Sequence, residues 1–126
     1  MTFLKYGLKF GVATMAAVMV AGAAWAEDAV GKWVGVVKAP EADIPFNLTV
    51  AKDNSGALSA TAESPSQAPG MVIPTENVAS DGDKLSFEVA MAQGSYAGTW
   101  DAANGAWVGV WKQNGFDMPM ELRRAP

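Results

Sequence analysis

Carboxylates dominate the reactive inventory of this chain: 13 aspartates and glutamates, with no histidine and no cysteine. Two carboxylates at the right separation can hydrolyse a glycoside, so a secreted hydrolase has to be weighed. Placement argues against it. Asp53, Asp81, Asp83 and Asp101 fall in or beside turn sequences, where a short acidic side chain bonds nearby backbone amides. Without histidine the chain lacks the commonest general base and the commonest transition-metal ligand. Nucleophiles of the serine–histidine or cysteine–histidine type and zinc sites of ordinary composition are excluded with it. Asp81-Gly82-Asp83 is too short for a calcium loop, and Asp53-Asn54-Ser55-Gly56 lacks the spacing and the distal glutamate of one. Ser66 has no lysine three residues on, so the serine–lysine pattern fails too. The sequence assigns no catalytic residue, no metal ligand and no cofactor, and it points to a protein that is not an enzyme.

Aromatic side chains offer binding chemistry instead. Tyr96-Ala97-Gly98-Thr99-Trp100 and Trp107-Val108-Gly109-Val110-Trp111 repeat one design, aromatic, glycine, aromatic at every second position, with Asn104-Gly105 between them. Side chains two apart share a face of a strand, so Tyr96, Trp100, Trp107 and Trp111 point one way. Such rings either line a pocket for an apolar ligand or fill a core. A second candidate is the proline-rich stretch 63–74, long enough to be functional. Within it Ser66 and Gln67 offer polar contacts, and Met71 and Ile73 offer apolar contacts to a ligand or a partner.

The elements that must position these residues are strands. Asn104-Gly105 is a favoured two-residue hairpin turn because both residues tolerate positive φ. Turn signals recur at Asp81-Gly82-Asp83, Gln93-Gly94, Asn104-Gly105 and Asn114-Gly115. That spacing of about ten residues marks an all-β meander. Eight strands are expected, over 31–38, 44–52, 57–63, 71–79, 84–90, 95–101, 106–112 and 116–124, the fourth interrupted by Pro74. Alternation turns Trp33, Phe46, Phe87, Tyr96, Trp100, Trp107, Trp111 and Phe116 inward. It turns Val34, Val36, Val108 and Val110 outward, where they form a candidate partner surface. A meander of this length is most economically closed on itself, which removes exposed edges. The expected fold is therefore a small antiparallel up-and-down barrel. An eight-stranded barrel holds either its own side chains or one small ligand.

Residues 1–26 read as a cleaved signal-peptide helix. Lys5 and Lys9 form a cationic start, Gly11 to Ala23 an apolar run too short to span a membrane comfortably, and Ala24-Trp25-Ala26 a cleavage site. With no cysteine after Ala26, lipoprotein processing is excluded, and no stable membrane anchor is expected once the leader is removed. The single domain over 27–126 would be periplasmic or secreted. It keeps 7 basic and 13 acidic residues, a net charge of −6, which argues against nucleic acid. Without disulfides it must be held by burial alone.

Gly31-Lys32-Trp33 at the head of the first strand resembles the Gly-x-Trp opening of the calycins, the barrel group that includes lipocalins and avidins. That resemblance implies a closure in which Arg124, at the end of the last strand, stacks on Trp33 and plugs one barrel end. The mature region is also similar to a small exported bacterial domain that often precedes α/β-hydrolases or other secreted hydrolases. Ser64-Pro65-Ser66-Gln67, Tyr96-Ala97-Gly98 and Met118-Pro119-Met120-Glu121-Leu122-Arg123 carry that likeness. No hydrolase follows in this sequence, which is its main departure. The likeness implies an accessory, non-catalytic role toward a secreted protein partner. The alternative is a calycin-like carrier of a small apolar ligand.

Overall fold

A computed structural model describes residues 27–126; the expected leader lies outside the described residues. The described residues form nine antiparallel strands: β1 (Gly31–Lys38), β2 (Asp43–Lys52), β3 (Leu58–Glu63), β4 (Ile73–Pro74), β5 (Glu76–Asp81), β6 (Lys84–Val89), β7 (Gly94–Asp101), β8 (Ala106–Gln113) and β9 (Phe116–Arg124). A 3-10 turn, Ala90–Ala92, joins β6 to β7. All nine strands belong to one sheet in the order β4-β3-β2-β1-β9-β8-β7-β6-β5, curled into a nearly closed barrel.

Sequence neighbours pair except β4 and β5, which are the two edges of the sheet, and the first and last strands join as well. Arg124 sits opposite Trp33 and Leu122 opposite Gly35. Closure of the meander thus comes from β1 and β9, and the remaining seam falls between β3–β4 and β5. There Thr75 bridges to β3, its amide and its hydroxyl both donating to the Ala60 carbonyl at 3.3 and 2.8 Å. Half-buried Leu58, Ile73 and Val78 lie against the core along the same seam. The expected strand over 71–79 is the one that breaks. Pro74 cannot donate to a ladder, and Asn77 adopts a left-handed φ of 52° beside a register shift between Glu76 and Ala79.

Turn chemistry fixes the hairpins. Asp53 Oδ1 accepts from the Ser55 amide, the Ser55 hydroxyl and the Ala57 amide, at 2.8, 2.6 and 3.0 Å. These donors, led by the hydroxyl, hold the Asp53 carboxyl below its ordinary value of 3.8. Asp101 accepts in the same way from Ala103 and Asn104 in the turn that contains Asn104-Gly105.

The core consists of rings in two layers. At one end Trp33, Trp100 and Trp107 meet edge to face, with centroids 5.2 to 6.2 Å apart. Toward the other end Phe46, Phe87, Tyr96 and Trp111 form a second cluster, at 5.3 to 6.4 Å. Such pairs add about 0.5–1.5 kcal/mol each beyond the area they bury. The β7–β8 register explains the layering: Tyr96 opposes Trp111, Gly98 opposes Gly109, and Trp100 opposes Trp107. A glycine pair therefore separates the two aromatic layers.

One assignment by alternation is corrected. Phe116 is 59% exposed, although it shares parity with buried Met120 and Leu122. The ladder between β9 and β1 runs only from Met120 onward. Phe116 therefore projects from the end of the barrel, past the last paired residue of β1, with no wall opposite it.

Candidate functional site

The two ends of the barrel differ in kind. At the end where β1 begins and β9 stops, residues 27–30 fold across the opening and are clasped from the C-terminus. Arg124 donates to the carbonyls of Val30 and Asp28 at 2.7 and 3.0 Å, and to the Glu27 carboxylate at 2.6 Å. Its guanidinium carbon stands 4.0 Å from the Trp33 ring centroid. Trp33 in turn donates its indole N–H to the Ala29 carbonyl at 2.8 Å. A cation stacked on an indole contributes about 0.5–2 kcal/mol, depending on how far it is desolvated. Arg124 remains partly exposed, so the lower part of that range applies. This end is closed by Trp33 and Arg124.

Inside, the aromatic wall is occupied by its own side chains. Tyr96 lies across Gly98, where a Cβ would meet the phenol ring. Its hydroxyl reaches the carbonyls of Trp107 and Met120 at 3.2 and 3.1 Å. Trp111 lies across Gly94 in the same manner. Gly109 serves close approach of backbone instead, since a Cβ there would strike the Ala97 carbonyl. Tyr96, Trp107 and Trp111 are buried, and Trp100 is half-buried against them. Trp107 Nε1 is a buried side-chain nitrogen with no hydrogen-bond partner.

The opposite end carries the exposed apolar groups. Met71, Val72, Met91 and Phe116 are 45%, 66%, 60% and 59% exposed, and all four sit where β3, β6 and β8 end and β4, β7 and β9 begin. Bonds beneath Met91 and Phe116 tie those two positions together. Gln113, two residues after Trp111, accepts from the Trp111 indole at 2.9 Å and donates to the Ala92 carbonyl at 2.8 Å. The Glu76 carboxylate accepts from the Ala90 amide at 3.1 Å. The 3-10 turn bearing Met91 is thereby fastened on one side to the β8–β9 hairpin and on the other to the strand that follows Pro74. Gln93 closes that turn with a left-handed φ of 54°.

The 63–74 stretch is folded rather than extended. Gln67 and Ala68 donate their amides to the Ser64 carbonyl, and the Ser64 hydroxyl donates to Gln67 Oε1 at 3.0 Å. Gln67 thus spends its amide oxygen within the loop, while Ile73 pairs with Ala62 and lies half-buried against the core. Ser66, Gln67 and Met71 all face solvent, and Val72 joins Met71 as an exposed apolar side chain. Met91 and Phe116 complete the rim and were not among the expected contacts. A signal for Met91 existed in the short run Ala90-Met91-Ala92 before Gln93-Gly94, a methionine at a turn instead of a polar residue.

A second surface lies on the outer wall. Val34, Val36, Pro45, Pro119, Glu121 and Arg123 border a groove of about 660 Å³ over β2, β1 and β9, and Val108 and Val110 continue it on β8 at 38% and 36% exposure. A smaller depression of about 250 Å³ lies at the clasped end, bordered by Glu27, Asp28, Lys52 and Ser80. Neither is lined by Tyr96, Trp100, Trp107 or Trp111. Among the described residues no group of three or more acidic side chains is placed to hold a metal ion.

Fold and site together define an all-β, nearly closed antiparallel barrel, compatible with a calycin-like fold, with a filled interior, one clasped end and one apolar end. The chain matches no protein-family model, no curated protein and no solved structure.

Proposed function

We propose that this chain is a non-catalytic, exported β-barrel module that binds another exported protein, in an accessory role such as support of a secreted hydrolase. One contrast carries the reading: the rings that would line a ligand site are buried against one another, while large apolar side chains stand in solvent at one end. Exposed methionine and phenylalanine gathered on one rim are characteristic of surfaces that meet a partner. Export rests on the leader read in residues 1–26.

Capture from a periplasmic extract by the immobilised 27–126 protein tests this. A stoichiometric protein partner is the expected result. If no partner is retained and native mass spectrometry instead finds a small molecule held by the barrel, the carrier takes its place. That second reading is favoured by Trp107 Nε1, a buried donor without an acceptor, since a polar ligand atom in the interior would satisfy it.

A further inference from the structure

The apolar rim is set in a strongly acidic end. Around it stand Glu41, Asp43, Glu63, Glu76, Glu88 and Asp117, against two bases, Lys38 and Lys112, a net of −4. Both bases are already held by carboxylates, Lys38 by Asp43 at 3.0 Å and Lys112 by Asp117 at 3.1 Å. The rest of the barrel, with Glu121 counted beside its partner Arg123, carries seven acidic and five basic residues, a net of −2. Charge and exposed apolar area are therefore concentrated at the same end of the molecule.

We infer that the rim formed by Met71, Val72, Met91 and Phe116 is a docking surface for a cationic, apolar segment of a partner polypeptide. The inference rests on the binding-module reading and names the surface and the chemistry of the partner. Charge complementarity selects this occupant. A second copy of the chain would bring the same net −4 against itself, and like charges across an interface are costly. An anionic bilayer, which exposed Phe, Met and Val would otherwise suit, is repelled for the same reason. A segment with lysines or arginines flanking leucines, valines or aromatics meets both features, its charges on the carboxylate ring and its apolar groups on the methionines and Phe116. Methionine side chains repack easily, so the rim can accommodate a segment without a deep pocket.

The test uses the 27–126 protein and two labelled synthetic amphipathic peptides, one of leucines and lysines and one with glutamates replacing the lysines, followed by fluorescence anisotropy. The lysine peptide is expected to bind saturably and more weakly as salt is raised, and the glutamate peptide not to bind. The double substitution Met91→Ser and Phe116→Ser should weaken the lysine peptide by about tenfold while leaving thermal unfolding unchanged, because both side chains are exposed. Failure of the lysine peptide to bind, equal binding of both peptides, or indifference to the double substitution overturns the proposal, as does binding to anionic vesicles in preference to the peptide. A natural partner captured equally well by parent and double variant would overturn this surface while leaving the binding-module reading standing. Absence of any captured partner bears on that reading instead.

Discussion

Tyr96 shows most sharply what single side chains do in this molecule. It is one of two tyrosines in the sequence, and the other, Tyr6, precedes residue 27, so phenol absorbance of the 27–126 protein reports on Tyr96 alone. Burial, and then the nearby Glu121 carboxylate, push its pKa well above the ordinary 10.0, because a phenolate would stand unhydrated beside two backbone carbonyls. The sign follows from linkage: with the folded value raised, the folded state holds the proton more tightly than the unfolded chain. This contribution to stability is complete below pH 10 and is lost as pH rises above it. Alkaline titration should therefore show phenolate absorbance appearing together with unfolding, not before it. In the Tyr96→Phe variant the alkaline loss attributable to this group disappears, and the protein is weaker at neutral pH by roughly 1–2 kcal/mol for the lost hydrogen bond. Phenolate formation in a still-folded barrel would contradict the placement of this ring.

At the scale of elements, the β7–β8 hairpin organises the core, and its glycines are spacers for rings. Gly98→Ala places a methyl against the Tyr96 phenol, whose hydroxyl is fixed at its far end by the Trp107 and Met120 carbonyls. Overfilling of this sort costs about 1–3 kcal/mol, and each kcal/mol lowers the melting temperature of a domain this size by roughly 4–8 °C. Thermal unfolding should show that drop, whereas Gly115→Ala, with nothing near its Cβ position, pays only for its positive φ of 82°. The faces of the hairpin were legible in the sequence because two-residue alternation is local, but its turn is not the expected two-residue Asn104-Gly105: Asp101 pairs with Ala106 across the four-residue loop 102–105, in which Gly105 has a positive φ and Asn104 does not. The Trp33–Arg124 clasp joins residues at opposite ends of the barrel domain, and it was legible through parity, which puts Arg124 on the face of Leu122, through closure of the meander and through the calycin resemblance. What alternation could not reveal was where a wall ends. It turned Phe116 inward because parity carries no term for position along the barrel axis, and it left Met91 unremarked because a three-residue 3-10 turn has no period to detect. The split of the fourth strand was foreshadowed by Pro74, but the left-handed Asn77 beyond it depends on pairing with β6 across the register shift.

At the scale of the whole molecule, stability takes up the rings that a carrier would need for its ligand. A domain without disulfides has to gain its stability by burial, and Trp33, Phe87, Tyr96 and Trp107 are each at most 2% exposed. That use of the interior competes with any use of it as a carrier, because a barrel of this size accommodates one or the other. Under the proposed function recognition falls to the outside, to an acidic end that is apolar at its rim, and the clasped end serves closure. Of the five tryptophans in the sequence, four lie within the barrel, so intrinsic emission is a direct probe of whether the interior admits a guest. Titration of the 27–126 protein with a series of apolar ligands, followed by tryptophan emission, puts the central claim to the most direct test. A filled barrel predicts no saturable change across the series, and a saturable one-to-one shift that Gly98→Leu abolishes without unfolding the protein would contradict it.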